Sequence, residues 1–232
     1  MKTLVYALSF LVFQQLPSPP GPPVLLVTGT AQVLAAPDQA TVRLGIVRQS
    51  PNAQTAQEQV NAVAQEILTS IRRVGIPDQQ IQTSRLILSP VYAPRTPDSR
   101  DAPKIVAYNA TNSVAVRIDN LSLVGAVIDA GLKAGANQLE GVQFGLRNDL
   151  PAREQALKEA VNEARSKAEV MAGALNVNLV EVLEANEGGV SIVPASEGAV
   201  AGRLAFAAET PVSPGQIQVN ANITIRYRIS PK

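Results

Sequence analysis

The stretch IQVNANITIRYRI, residues 217–229, decides the fold class because its apolar and polar residues alternate without a break. Alternation with a period of two places the two sets of side chains on opposite faces of a β-strand. The odd-numbered residues from Ile217 to Ile229 would face a core, and the even-numbered residues would face solvent. Because this pattern is typical of antiparallel sheets with one covered face, the sequence predicts a long antiparallel strand.

Six further segments have the composition of strands. They cover residues 24–33, 40–46, 81–92, 106–118, 142–146 and 177–183. Pro37 and Asp38 form a turn signal between the first two segments, which are therefore predicted to form a β-hairpin. Residues 188–215 are rich in Gly, Ala and Pro and are predicted to be a long connection before the last strand.

Three segments have the apolar spacing of helices. The first has Ser50 as its predicted N-cap, followed by Pro51, and should end at Gly75. The second is predicted over Leu121–Ala134. The third begins after Asn148 or Asp149, and its alanine-rich stripe predicts close approach by a sheet face or by a second subunit. That stripe consists of Leu150, Leu157, Val161, Ala164, Ala168, Met171 and Leu175.

The resulting order is ββαββαβαββ, in which strands and helices mix without regular βαβ repeats. This order predicts an α+β fold with mostly antiparallel sheets packed against three helices. Residues 24–232 are predicted to form the folded domain, and a division into two subdomains near 93–119 is one interpretation of it.

The composition of the 232 residues excludes several kinds of site. The absence of His and Cys excludes histidine triads, thiolate nucleophiles, iron–sulfur clusters and Cys-type zinc sites. The net charge of +1 gives no strong electrostatic case for binding nucleic acid or an anionic membrane surface. With two methionines as the only sulfur residues, direct thiol scavenging of oxidants is impossible.

The N-terminus has the pattern of a secretory signal peptide. Lys2 precedes an apolar run from Leu4 to Phe13, which is about half the length of a bilayer-spanning helix of roughly 20 residues. Residues 17–23 contain five prolines and predict an extended spacer. Residues 1–23 are therefore predicted to be a signal peptide and spacer of a periplasmic or extracellular protein. If the apolar run is retained, it is a short membrane anchor.

The polar residues suggest few reactive groupings. Ser166 and Lys167 are adjacent on a predicted helix and so point in different directions. Asp98 and Asp101 lie in a proline-rich loop without the ligand spacing of a calcium loop. The segment Thr28–Ala31 lacks the glycine spacing of a phosphate loop, and Gly29 is better explained as a bulge or a close-packing position.

Two other patterns have simple structural explanations. Glycosylation sequons begin at Asn109, Asn120 and Asn222, but two of them lie in predicted strands. Arg226 and Arg228 share one strand face, where they could bind an anion or protect the sheet surface from pairing. No catalytic, cofactor-binding or metal-binding residue is predicted.

The chain resembles the SIMPL-domain family, which includes bacterial periplasmic oxidative-stress-defence proteins and periplasmic immunogens. The resemblance runs from about Val27 to Ile229, with Ala31 where the family has glycine. It rests on the order and spacing of these residues: 27–31, 37–40, Asn61, Gly75-Ile76, 81–84, Leu88, Pro90, Tyr92, 108–110, 135–137, Phe144, Ala156-Leu157, Ala160, Ala164, Lys167-Ala168 and 210–215.

The resemblance implies an exported, non-catalytic protein connected with envelope or oxidative stress, without cofactor, and with relatives that assemble into rings or channel-like oligomers. The first hypothesis is therefore a self-associating structural protein, with an envelope protein as a further partner. The second is an enzyme or small-ligand carrier that uses carboxylates or Ser and Lys. The third is a membrane-tethered scaffold, which requires that the N-terminal segment is retained.

Overall fold

The computed structural model describes residues 21–94, 102–195 and 210–232. The predicted α+β class and the predicted order ββαββαβαββ are confirmed. Within the described ranges, no helix combines the length and hydrophobicity needed to cross a bilayer. The elements are β1 (Val24–Ala35), β2 (Gln39–Ser50), α1 (Ala53–Arg73), β3 (Ile81–Tyr92), β4 (Ile105–Ile118), α2 (Val124–Lys133), β5 (Gln138–Gly145), α3 (Leu150–Ala174), β6 (Val177–Pro194) and β7 (Ile217–Pro231).

The strands form two antiparallel sheets. The three-stranded sheet has the order β1-β7-β6, and the four-stranded sheet has the order β3-β4-β2-β5. The predicted hairpin of the first two strands is wrong, because β1 pairs with β7 whereas β2 pairs with β4 and β5. A turn signal such as Pro37-Asp38 shows only that the chain changes direction, and here the chain passes from one sheet to the other.

The two crossings between the sheets lie side by side. The N–H of Asp38 donates to the carbonyl of Gly145 at 3.2 Å, and the Asp38 carboxylate accepts from the N–H of Arg147 at 2.6 Å. In contrast, Tyr92 and Ile105 lie opposite each other in neighbouring strands of the four-stranded sheet. A division of the domain near 93–119 therefore falls inside one sheet.

Helix α1 begins slightly later than predicted and ends where predicted. Its N-cap is Asn52 instead of Ser50, since the Asn52 side chain accepts from the N–H of Thr55 at 3.1 Å. At the other end Gly75 has φ +101°. The N–H of Ile76 then donates back to the carbonyl of Ile71 at 3.4 Å, as in helices that end on a left-handed glycine.

The larger core lies between the four-stranded sheet and helices α1 and α2. A 3₁₀ turn over Leu121–Leu123 precedes α2, so the predicted second helix is divided into two pieces. The largest fully buried side chains of this core are Val42, Leu44, Ile46, Val60, Ile67, Ile71, Val114, Val116, Ile118, Val124 and Val127.

Helix α3 packs against the three-stranded sheet through alanines, not through the large apolar residues of the predicted stripe. Leu150, Val161, Met171 and Leu175 are exposed, so that part of the prediction is wrong. Only small side chains fit, because Gly29 of β1 lies directly beneath the helix backbone. The buried ridge repeats every fourth residue, as Ala156, Ala160, Ala164, Ala168 and Ala172.

The last strand, β7, lies in the centre of the three-stranded sheet and confirms the predicted alternation. Its odd-numbered face contains the buried side chains Ile217, Val219, Ala221, Ile225 and Tyr227. Strand β6 is longer than predicted and continues to Pro194, so the predicted connection at 188–215 begins too early. Residues 196–209 of that connection lie outside the described residues.

Candidate interaction surfaces

The structure does not bring the predicted Ser–Lys pair together as a reactive site. Ser166 is exposed on α3. Lys167 instead pairs with Glu163 at 3.0 Å and donates to the carbonyl oxygen of Thr28 at 3.2 Å. Asp98 and Asp101 lie outside the described residues.

The other polar candidates have local structural partners. Asn120 accepts from the N–H of Ser122 at 3.2 Å and caps the 3₁₀ turn, while Asn109 lies half-buried within β4 and Asn222 lies exposed within β7. Across β7 and β6, Arg226 lies 3.4 Å from Glu184, and Arg228 lies 3.0 Å from Glu181. Within the described ranges there is no cluster of three or more acidic side chains that could hold a metal ion.

Asp119 at the end of β4 has a lowered pKa for a structural reason. The amide of Gln39 donates to its carboxylate at 2.8 Å and lowers the pKa most, whereas desolvation raises it. Nearby Arg147, a second amide donor from Gln80 at 2.7 Å, and Arg117 lower it further. These contacts join the turn before β3 to the ends of β2 and β4, and they do not enclose a reactive carboxyl group.

The free edge of β1 is covered by α3. The N–H of Thr30 points away from β7 and donates to the carboxylate of Glu163, while Lys167 binds the carbonyl of Thr28 two residues earlier. An edge strand presents unpaired N–H and C=O groups to which another chain could pair. The Glu163–Lys167 pair occupies two of these groups and thereby protects this edge.

We expect Glu163→Gln to weaken this cover in a pH-dependent way. The hydrogen bond from Thr30, followed by Lys167, lowers the pKa of Glu163 below its ordinary value of 4.5. A carboxyl group with a lowered pKa stabilises the fold above its unfolded pKa and loses that effect as the pH falls through the folded pKa. Urea unfolding should therefore separate wild type from Glu163→Gln at neutral pH and converge in acid.

Glu154→Gln, at an exposed position on the same helix, provides the control for this measurement. Its unfolding curve should follow wild type at both pH values. A Glu163→Gln curve that stayed equally displaced from wild type at neutral and acid pH would contradict the role assigned to the ionised carboxylate.

Two other edges are protected by their own irregularity. Strand β6 has three register shifts against β7 and presents Glu181, Glu184 and Glu187. Strand β5 is eight residues long and has a register shift opposite Arg43 and Leu44. Bulges, charges and short length are the usual devices that prevent edge pairing.

The edge of β3 is the least protected of the four. It has register shifts near Thr83 and near Tyr92 and a proline at Pro90, but an uninterrupted apolar run lies between Thr83 and Pro90. Leu86, Ile87 and Leu88 expose 59%, 47% and 45% of their surface. The sequence predicts this strand correctly but not its exposure, because exposure depends on β3 being the outermost strand and on α1 covering β2 and β4 instead.

A second apolar surface lies beside α3. Since the alanine ridge packs on β1 and β7, part of the inner face of β6 is uncovered. Two adjoining concavities of about 490 and 550 Å³ share Val161 and run along the helix. Their apolar lining consists of Leu157, Val161, Leu179, Val180, Val182, Ile223, Ile225 and Tyr227.

Several known proteins are similar in sequence to most of the chain. The 26 kDa periplasmic immunogenic protein of Brucella melitensis is 30% identical over 215 residues, which cover 90% of this chain and 85% of the relative. The uncharacterised protein YggE of Escherichia coli strain K12 is 27% identical over 161 residues, or 69% of this chain and 63% of the relative. Edwardsiella ictaluri YggE is 30% identical over the same length, covering 66% of that relative.

The family model described as SIMPL, protein of unknown function (DUF541), matches residues 25–227. This range begins in β1 and ends in β7, so it includes both sheets and all three helices. The chain therefore belongs to the SIMPL family.

Proposed function

We propose that this chain is an exported, non-catalytic protein of the bacterial envelope that associates with copies of itself through the free edge of β3. The observation that carries the proposal is the contrast between this apolar edge and the three protected edges. The polar side chains considered as candidate reactive groups are either distant from one another or bound to structural partners. This arrangement supports the proposal that the protein is not an enzyme.

Export is supported by two independent features. Lys2 and the apolar run from Leu4 to Phe13 have the pattern of a signal peptide, and the Brucella relative is named a periplasmic protein. We therefore assign the processed chain to the periplasm. Retention of the N-terminal segment would make it a membrane-tethered scaffold, and the intact mass of protein taken from the whole cell envelope distinguishes the two forms.

Two β3 edges can pair in an antiparallel manner about a two-fold axis at Ile87. Leu86 of one copy then lies opposite Leu88 of the other, and the two leucines share one face of the joined sheet. Cross-strand aliphatic pairs stabilise a sheet by roughly 0.2–1 kcal/mol each, and a newly paired edge also satisfies backbone N–H and C=O groups. The joined sheet would have eight strands, four from each copy.

Sedimentation velocity of the processed chain tests this arrangement. We expect wild type to form dimers or larger assemblies at micromolar concentration, and Leu86→Lys/Leu88→Lys to remain monomeric because like charges would face each other across the joined strands. Both leucines are exposed, so the double variant should fold as wild type does, which its circular dichroism spectrum checks.

Val170→Lys is the matched control, since Val170 on α3 is 70% exposed and distant in sequence from β3. It should assemble as wild type does. A monomeric wild type, or a leucine double variant that still assembled, would refute pairing through β3.

We propose that any contribution to envelope or oxidative-stress defence acts through this assembly. The chain has no Cys, and Met1 and Met171 are its two methionines. Purified protein should therefore not consume peroxide through thiol chemistry.

A further inference from the structure

A polar pocket of about 290 Å³ opens on the face of the four-stranded sheet that α1 and α2 do not cover. Two guanidinium groups, from Arg43 on β2 and Arg117 on β4, line it together with the hydroxyl-bearing Thr41 and Ser84 and the amide-bearing Gln79, Gln80 and Gln82. Its lining contains no carboxylate.

The strand register explains why the surface is concave at this point. Ala115 on β4 lies between Arg43 on β2 and Gln82 on β3, with each of which it is directly paired. Thr41 is paired with Arg117 in the next row of the same face. A small side chain is thus surrounded by long polar ones, so Ala115 forms the floor and its neighbours form the walls.

These two arginines differ from most others in the described part of the chain. Five arginines lie within 4.0 Å of a carboxylate, namely Arg72, Arg153, Arg165, Arg226 and Arg228. Among the described residues, Arg43 makes one hydrogen bond, to the amide oxygen of Gln143 at 3.5 Å, and neither Arg43 nor Arg117 has a carboxylate within 4.0 Å.

Asp119 is the acidic group that interacts with Arg117 from outside the pocket. Its pKa is lowered chiefly by the hydrogen bond from Gln39, and Arg117 makes the last and smallest contribution. Its oxygens accept from Gln39 at 2.8 Å and from Gln80 at 2.7 Å. The Asp119 carboxylate is therefore held at the end of β4 by amides and leaves the guanidinium of Arg117 available to a ligand.

We infer that the pocket between Arg43 and Arg117 binds a phosphate group. Guanidinium groups recognise phosphate through paired, charge-assisted hydrogen bonds, and two of them match the charge of a dianionic phosphate better than that of a single carboxylate. The hydroxyl of Thr41 and the amide of Gln82 add neutral donors at the rim. The phosphate could be free in solution or belong to a lipid head group, since both present the same oxygens.

An NMR titration of the processed chain with inorganic phosphate tests the site. We expect saturable shifts of the amide signals of Thr41, Gln82 and Ala115. Arg43→Gln or Arg117→Gln should each weaken binding by about tenfold to a hundredfold, because each removes one charged partner. The double variant should show no saturable shift. Both arginines are exposed, so the variants should retain the circular dichroism spectrum of wild type.

Arg226→Gln is the control, because Arg226 is paired with Glu184 on the other sheet, and its phosphate affinity should equal that of wild type. Sedimentation with phosphatidic acid vesicles, against phosphatidylcholine vesicles, separates the two sources of phosphate. Selective binding that free phosphate competes away identifies a lipid head group, and phosphate binding without vesicle binding identifies a soluble ligand.

The inference fails if wild type shows no saturable shift at Ala115, or if the double arginine variant binds as wild type does. Phosphate binding is independent of self-association through β3, since neither leucine lines the pocket. The same titration on Leu86→Lys/Leu88→Lys should therefore show wild-type phosphate binding whether or not this variant assembles.

Discussion

Gly29→Ala should destabilise the protein by about 2–3 kcal/mol, because the added methyl group has no space to occupy. A Cβ atom at this position would overlap the carbonyl oxygen of Ala160 and lie 2.6 Å from the backbone nitrogen of Ala164 and 2.8 Å from its Cβ. Two of these three atoms belong to the backbone, so no side-chain rotation relieves the clash. Instead, α3 must move away from β1.

The expected loss is large compared with the total free energy of unfolding of a typical domain, about 5–15 kcal/mol. It should be measured by urea unfolding followed by circular dichroism. Gly145→Ala at the end of β5 is the matched control, because a Cβ there meets nothing within 4 Å and its φ is not in the left-handed region. Reduced freedom of the unfolded chain should make that variant neutral or more stable by about 0.4–1 kcal/mol.

The consequence for the surface is as informative as the loss of stability. Glu163 and Lys167 reach the edge of β1 only because the alanine ridge holds α3 close to Gly29. Displacement of the helix should release both contacts and uncover a second sheet edge. Gly29→Ala should therefore aggregate more readily than wild type at a temperature where both are folded. Equal stability of Gly29→Ala and Gly145→Ala would contradict the close approach of α3 to β1.

The sequence predicted best the features that depend on local periodicity. The alternation of residues 217–229 correctly identified β7, and Gly75 correctly marked the end of α1. Pairing between strands was predicted less well. The turn at Pro37-Asp38 carries no information about which strand lies beside β1, since β7, its partner, follows almost two hundred residues later.

The buried face of α3 was predicted only in part: Ala164 and Ala168 of the predicted stripe lie on the buried ridge, whereas Ala156, Ala160 and Ala172 were not included. A stripe predicted from hydrophobicity gives Leu157 and Val161 more weight than alanine. The face of α3 that packs on the sheet is instead determined by how closely the backbones of α3 and β1 approach each other. Gly29 was recognised from the sequence as a close-packing position, but its partner on the helix was not. Glycine opposite an alanine repeat every fourth residue is the signal that could have identified the ridge.

The candidate sites depend on which distant segments of the chain become neighbouring strands, and the sequence pattern of a single segment does not show this. Arg226 and Arg228 were considered as an anion site, yet Glu184 and Glu181 on β6 neutralise them. Arg43 lies within a predicted strand, and only the register with β4 brings Arg117 to the same pocket. The exposure of Leu86–Leu88 likewise follows from the strand order, not from the composition of β3.

Leu44→Ala should cause the other large loss of stability, about 2–5 kcal/mol, because Leu44 is fully buried between β2 and α2. Gly131 of α2 lies directly against it. A Cβ atom at Gly131 would overlap Leu44 Cδ1 and lie 3.3 Å from its Cγ and Cδ2. Gly131→Ala alone should therefore gain about 1 kcal/mol of helix propensity but lose about 1–3 kcal/mol by overpacking.

The double variant Leu44→Ala/Gly131→Ala separates the gain from helix propensity from the loss by overpacking. Once the leucine is truncated, the methyl group at position 131 enters the vacated space, so Gly131→Ala should become stabilising in that background. A double-mutant cycle measured by urea unfolding should give a coupling of about 0.5–3 kcal/mol. Gly173→Ala in α3 meets nothing within 4 Å and should raise stability equally in both backgrounds.

If Gly131→Ala had the same effect in both backgrounds, Leu44 and Gly131 would not be in contact, and the packing of α2 on β2 would be wrong.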